Sequence, residues 1–134
     1  MNVEELVSDN FRKEAKKYLK KFPSLKNELV ELSDSLLLNP KQGVKLTETT
    51  FKIRIASKSK GKGKSGGFRV ITYLVETIEG EDETVVVTLL SIYDKSEIST
   101  LKDNDISLLV AEFLTQKANK ERENNNLCNL DATL

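Results

Sequence analysis

Four basic side chains and one phenol lie at strand-like positions in the middle and second half of the sequence. In the segment FKIRIA, apolar residues alternate with Lys52 and Arg54, so the two cations share one face of a predicted strand. Arg69 is the second residue of the next strand-like segment, and Tyr93 and Lys95 lie at the end of a third. Grouped cations stabilise phosphate oxygens, while lysine and tyrosine can carry protons. Like charges side by side repel, so such a cluster favours an anionic partner over an ordinary solvated sheet face.

The strands that would carry these residues follow one another along the chain. FKIRIA, FRVITYLVE and TVVVTLLSIY are rich in β-branched and aromatic residues and are separated by turn-forming segments, which predicts an antiparallel meander. If the first two strands pair in a suitable register, Arg69 lies on the same face as Lys52 and Arg54. The end of the third strand would bring Tyr93 and Lys95 to that region.

Two amphipathic helices are predicted before these strands. NFRKEAKKYLKKF places its apolar residues on one face, with Asp9 or Asn10 as the cap. Pro23 ends this helix, Ser24 can cap the second, and an Asn-Pro pair ends that one. The predicted fold class is therefore α+β, with an N-terminal helical hairpin packed on a small antiparallel sheet of about three to four strands, followed by a C-terminal helix.

The chain of 134 residues has the size of about one domain. The last helix is expected over residues 103–120, which predicts a single domain over residues 1–120. Residues 121–134 are polar and rich in asparagine, and we expect them to form a flexible tail.

The composition excludes several kinds of chemistry. Cys128 is the only cysteine and the chain has no histidine, which argues against a disulfide framework or a Cys-based metal site and removes the commonest metal ligand. No apolar segment approaches the roughly 20 residues of a membrane span, and no signal peptide is recognised. We therefore expect a cytoplasmic protein with no metal, no small-molecule cofactor and no membrane partner. Acid–base chemistry would rely on lysine, tyrosine or a carboxylate.

The charges are distributed unevenly although the net charge is zero. Residues 1–75 carry 16 Lys/Arg and 8 Asp/Glu, and residues 76–134 carry 5 and 13. Between the first two predicted strands lies a glycine-rich connection with four lysines that we expect to bind RNA, unless it is only a solvated loop. They are Lys58, Lys60, Lys62 and Lys64.

The glycines in this connection do not indicate a nucleotide site. Gly61, Gly63 and Gly66 satisfy G-x-G-x-x-G, but the dinucleotide motif requires a helix after the glycines, and here a strand follows. The P-loop pattern also fails, because Lys58 occupies the position of its first glycine.

In order and spacing, these segments resemble toxins of the RelE/ParE superfamily from bacterial type II toxin–antitoxin systems. The resemblance extends from about residue 11 to residue 95 and is carried by FRKEAKKYLKKFPSLKNEL, NPKQGVKL, FKIRIASKSKGKGKSGGFRVITYLV and LLSIYDKSE. It implies a microbial-RNase type of fold. RelE-type members enter the ribosomal A site and cut mRNA, whereas ParE-type members inhibit DNA gyrase. A cognate antitoxin neutralises the toxin, so the implied partners are an antitoxin, the ribosome and mRNA.

The resemblance also implies roles for single residues. A metal-independent endoribonuclease uses the 2′-OH as nucleophile, and needs a base, cations on the phosphate and a proton donor for the leaving 5′-oxygen. By match to the family pattern, Arg54 and Arg69 bind the phosphate and Lys52 acts as base or charge stabiliser. Lys95 or Tyr93 would lie near the leaving group.

The chain departs from the RelE pattern at three points, which keeps other functions open. Leu101 stands where a RelE tyrosine is expected, the Gly/Lys insert lengthens the hairpin, and the net charge is zero instead of strongly positive. One alternative is a ParE-like gyrase inhibitor that uses the fold without catalysis. Another is a catalytically weak relative that acts through antitoxin binding and operon autoregulation.

Overall fold

The chain divides into two compact units, residues 1–101 and 102–134. The computed structural model describes residues 2–60, 67–98 and 101–133, with side chains as far as residue 123. The second unit contains one helix, α3 (Asp103–Thr133). The domain boundary predicted after residue 120 lies inside α3 and stays a prediction, while the backbone of the expected tail is helical as far as Thr133.

The first unit is a five-stranded sheet with two helices. Its elements are β1 (Asn2–Val7), α1 (Asp9–Lys21), α2 (Leu25–Leu38), β2 (Val44–Lys45), β3 (Thr50–Ile55), β4 (Phe68–Glu79) and β5 (Asp82–Asp94). The order of strands in the sheet is β1-β5-β4-β3-β2. The pairs β2–β3, β3–β4 and β4–β5 are antiparallel, which confirms the predicted meander, whereas β1 pairs with β5 in parallel.

The fold-class prediction of an α+β protein with an N-terminal helical hairpin on an antiparallel sheet is wrong. The fold is a mixed α/β one, because the chain begins with β1 and the sheet has five strands, one of them parallel to its neighbour. The sequence of β1, NVEELV, contains glutamate and leucine, which favour helices as isolated residues. Its extended form comes from pairing with β5, whose residues lie about 80 positions away, and local patterns do not record such a pairing.

The start of α1 is attached to β5 through Ser8, the N-cap residue. Its Oγ accepts a hydrogen bond from the Phe11 amide at 3.0 Å and donates one to the Leu90 carbonyl at 3.1 Å. The Ser8 amide donates to the Leu89 carbonyl at 3.0 Å. The sequence predicted Asp9 or Asn10 as the cap, but β1 fixes the chain one residue earlier, so Ser8 takes this role.

The hydrophobic core lies between α1, α2 and one face of the sheet. Both helices contribute the apolar residues that the sequence placed on one side, and the strands contribute alternate residues. The buried members are Phe11, Ala15, Tyr18, Leu25, Leu32, Leu36, Phe51, Ile53, Ile55, Phe68, Val70, Leu74, Val85, Val87, Leu89 and Ile92. Since Phe51, Ile53 and Ile55 face this core, Lys52 and Arg54 between them point to the opposite face.

Candidate functional site

Arg54, Arg69 and Tyr93 form a row across three neighbouring strands. Arg54 on β3 is the register partner of Arg69 on β4, and Arg69 is in turn the partner of Tyr93 on β5. Side chains of direct cross-strand partners have Cβ atoms about 4.5–5.5 Å apart. Lys52 lies two residues from Arg54 on β3 and therefore on the same face. The shared face and register that the sequence allowed are confirmed, while the chemical roles of these residues stay predictions.

A β-bulge in β5 directs Tyr93 to this row. Thr72 pairs with Leu89 and Ile71 pairs with Ser91, so Leu90 has no partner on β4. In a regular strand, Leu89 and a residue three positions later would lie on opposite faces. The extra residue lets both Leu89 and Ile92 enter the core, which turns Tyr93 to the side of Arg69.

The members of the row differ strongly in exposure. Arg54 is exposed and Lys52 is half-buried, whereas Arg69 is only 4% exposed and Tyr93 1%. A direct contact of all these cations with RNA, as the family resemblance implies, requires them to face solvent together. Only the β3 end of the row is open to solvent. An anion approaching from solvent therefore meets Arg54 and Lys52 first.

Burial changes the proton affinities of the two inner residues. It lowers the pKa of Arg69, and the neighbouring charge of Arg54 lowers that pKa further. The Arg69 guanidinium donates a hydrogen bond to the Phe68 carbonyl at 3.2 Å. Burial raises the pKa of Tyr93, and this effect outweighs the opposing influence of Arg69 and of a hydrogen bond with the Leu101 backbone. The phenol therefore stays protonated near neutral pH, so it can donate a proton but not accept one.

Lys95 lies just beyond the row, at the end of β5. Its amide donates to the Gly67 carbonyl at 3.1 Å, which continues the β4–β5 pairing by one residue, and its side chain is half-buried. A Cβ atom on Gly67 would lie 1.9 Å from the Ile55 carbonyl oxygen, so only glycine allows β3 and β4 to approach at this point. Gly67, which comes two residues before Arg69, thereby helps to position both Arg69 and Lys95.

Lys60, one of the lysines predicted to bind RNA, forms a buried ion pair with Asp94. The Lys60 Nζ donates to Asp94 Oδ1, and the two side chains are 8% and 4% exposed. The ammonium also lies 5.1 Å from the Phe22 ring centre and 5.3 Å from that of Phe68, within cation–π range. These contacts hold the Lys60 side chain on the core side of the sheet. The RNA-binding role of Lys60 stays a prediction.

Asp94 is a residue that sequence reasoning missed. Burial raises its pKa, but hydrogen bonds from Lys60 and from Ser96 outweigh burial and hold the pKa below its usual value. Its Oδ1 accepts from the Ser96 amide at 2.9 Å and from the Ser96 hydroxyl at 2.8 Å, which fixes the turn that carries Lys95. An aspartate at a strand end with serine two positions later is a signal for such a turn.

The other lysines of the connection are placed differently. Lys58 is exposed, and its amide donates to Glu28 Oε2 on α2 at 2.8 Å. The neighbouring Ser59 amide donates to Ser24 Oγ at 3.0 Å. The base of the connection is thus attached to the start of α2. Lys62 and Lys64 lie outside the described residues.

Neither a metal site nor a membrane span is found in the part of the chain that the structure describes. No three His, Cys, Asp or Glu side chains there are grouped to hold a metal ion, and no helix there is both long and apolar enough to cross a bilayer. In comparisons with known proteins, no family model matches the chain and no solved structure matches it. The RelE/ParE resemblance accordingly stays a prediction.

Proposed function

We propose that this protein is a RelE/ParE-type toxin that acts in the cytoplasm and inhibits translation by cutting mRNA on the ribosome without a metal ion. The observation that carries the proposal is the register row of Arg54, Arg69 and Tyr93, with Lys52 beside it on β3. Two arginines placed directly opposite each other repel. A phosphate bound between them would offset that repulsion, so the arrangement favours a phosphate ligand.

The reaction follows from the exposed end of the row. Arg54 binds the non-bridging oxygens of the scissile phosphate, because its planar fork suits phosphate and its side chain is exposed. Lys52, two residues before Arg54 on the same face of β3, takes the proton of the 2′-OH. The P–O2′ bond forms as the P–O5′ bond breaks, and Lys95 gives a proton to the leaving 5′-oxygen.

The two buried residues of the row, Arg69 and Tyr93, contribute to this chemistry without contacting the substrate. Arg69 adds positive charge close to Arg54 in a poorly solvated environment, where electrostatic stabilisation is stronger than in water. The Tyr93 phenol lies beside Arg69 and keeps its proton near neutral pH, so it adds no negative charge to the row. We assign Arg69 and Tyr93 to positioning and electrostatic support, because both are almost completely buried. Direct contact with RNA is left to Arg54, Lys52 and Lys95.

The proposed partners follow from charge. Ribosomal RNA contacts the exposed lysines of α1 and of the Gly/Lys connection, which predicts a steep loss of binding with added salt. A cognate antitoxin would cover the cluster with an acidic and apolar segment, because this neutralises the cations and blocks access together.

Burial of Arg69 and Tyr93 favours one second candidate, a ParE-like inhibitor of DNA gyrase that binds without catalysis. In such a protein the inner row would stabilise the sheet, and removal of a single basic side chain from the row would leave inhibition intact.

The deciding experiment is a cell-free translation reaction in which mRNA ends are mapped by primer extension. Wild-type protein, the variants Arg54→Ala and Lys52→Ala, and a control Lys26→Ala on α2 would be compared with and without ribosomes. We expect cuts within codons that require ribosomes, persist in the control and disappear in both variants. Intact mRNA with wild-type protein would overturn the proposal, and inhibition of gyrase supercoiling by the same preparation would support the second candidate.

A further inference from the structure

The β4–β5 hairpin ends in an acidic tip that the proposed function does not use. Residues 76–83 contain five acidic side chains and no basic one, and nearly all of this segment is exposed. Ile78 is 74% exposed at this tip, and Glu83 is its register partner on β5. Gly80, with φ of +63°, makes the turn. The tip therefore presents one exposed apolar side chain together with several carboxylates, which suits a partner surface that is both apolar and basic.

A groove of complementary character lies along α1. It has a volume of about 450 Å³ and an apolar floor formed by Val7, Phe11, Ala15, Leu19 and Leu29. Its remaining lining residues are Arg12, Lys16 and Lys20. These three cations are spaced four residues apart, so they line one side of the helix. Within the described residues, no ion pair engages them.

The tip cannot reach the groove of its own chain. The start of α1 is bonded to Leu89 through Ser8, and Tyr18 near its end accepts a hydrogen bond from the Asp94 amide at 3.2 Å. Helix α1 therefore lies beside the C-terminal half of β5. The hairpin tip lies at the other end of this strand, where β5 begins. From Glu83 to Leu89 the strand extends six residues, or roughly 20 Å. A hairpin tip that occupies this groove must therefore come from another molecule.

We propose that the groove on α1 binds the β4–β5 hairpin tip of a second copy of this chain. Ile78 enters the apolar floor, while Glu81 and Glu83 meet Lys16 and Lys20. The two surfaces are complementary in charge and in apolar character, and every copy of the chain carries one of each. The net charge of zero removes the overall repulsion that keeps similar chains apart.

The symmetry of this contact determines the assemblies that form. The two surfaces are different, so the contact is head-to-tail and leaves one free groove and one free tip on each dimer. Association therefore continues to longer chains or closes into a ring. Each contact also covers lysines of α1, which makes them unavailable to other anions.

Sedimentation velocity of the full chain over a range of protein concentrations tests the contact. We expect concentration-dependent association in about 50 mM NaCl that weakens at least about tenfold in about 500 mM, because salt screens exposed charges. The groove variant Lys16→Glu/Lys20→Glu and the tip variant Glu81→Lys/Glu83→Lys should each remain monomeric. The control Glu4→Lys/Asp34→Lys, which changes two other exposed acids, should associate like the wild type.

Mixing the two charge-reversed variants provides a test that loss of folding cannot imitate. The acidic groove of the Lys16→Glu/Lys20→Glu variant can then bind the basic tip of the Glu81→Lys/Glu83→Lys variant. The native basic groove of the second variant can bind the native acidic tip of the first, so association should return. Amide chemical shifts followed on dilution should change at residues 78–83 and along α1. A wild-type chain that stays monomeric at low salt would overturn the proposal. Failure of the mixture to associate, or dilution shifts confined to other surfaces, would overturn it as well.

Discussion

Arg54 and Arg69 are direct cross-strand partners, one exposed and the other almost completely buried. Burial lowers the pKa of Arg69, and the charge of Arg54 lowers it further, so the two like charges oppose each other in the folded protein. Like charges directly opposite each other on a sheet oppose folding. The same pair binds an anion more strongly, because the anion relieves the repulsion.

Replacement of Arg54 by glutamine should therefore stabilise the protein while it abolishes the proposed cleavage. Like charges directly opposite on a sheet cost roughly 0.2–1 kcal/mol, so we expect the free energy of unfolding to rise by about 0.5 kcal/mol. Urea denaturation of Arg54→Gln and of a control, Lys26→Gln, measures this change. A loss of stability in Arg54→Gln alone would show that Arg54 is held by favourable contacts instead.

Replacement of Lys60 by methionine should destabilise the protein strongly. The variant leaves the buried Asp94 carboxylate without its cation, and breaking a buried ion pair from one side costs about 3–5 kcal/mol. The matched variant Lys58→Met removes an exposed lysine from the same connection and should change stability little. Urea midpoints of the two variants decide between these expectations. Equal midpoints would mean that Lys60 lies in solvent and is available to RNA.

The stability that Asp94 contributes should depend on pH in the acid range. Its pKa is lowered in the folded state, so the folded protein binds this proton less tightly than the unfolded chain does. The contribution is complete above the unfolded pKa of about 3.9 and is lost as the pH falls through the lower folded pKa. The difference in unfolding free energy between wild type and Asp94→Asn should therefore shrink below about pH 4. A difference that stays constant down to the lowest pH would contradict the lowered pKa.

The sequence predicted those parts of the fold that depend on local patterns. Alternation in FKIRIA and the helical spacing in NFRKEAKKYLKKF identified β3 and α1, and these elements are confirmed. The strand β1 was missed because its pairing partner lies about 80 residues away. No glycine or proline marks the bulge at Leu90, so the exact alignment of β4 with β5 was also beyond local reasoning.

The sequence predicted which face of the sheet the residues of the candidate site occupy, but it did not predict how deeply each one is buried. Period-two alternation is a property of each strand, and it placed Lys52 and Arg54 on one face correctly. Arg69 was expected on that face only in a suitable register, and the structure has this register. Exposure depends on what covers each residue, and that is decided by distant parts of the chain. The ion pair of Lys60 with Asp94 joins residues 34 positions apart. Local patterns therefore could not distinguish Lys60 from the other three lysines of the connection, which were expected to bind RNA or to be solvated.

Gly67 gives the sharpest steric test of how the row is built. In Gly67→Ala the new Cβ would lie 1.9 Å from the Ile55 carbonyl oxygen, so β3 and β4 must separate at the end that holds Arg54 and Arg69. We expect a loss of stability of more than about 1 kcal/mol. The comparison is Gly80→Asn at the hairpin tip, where no atom lies within 4 Å of an added Cβ and asparagine tolerates the positive φ. Thermal unfolding of both variants measures the difference, and a Gly67→Ala protein as stable as Gly80→Asn would refute this close approach of the two strands.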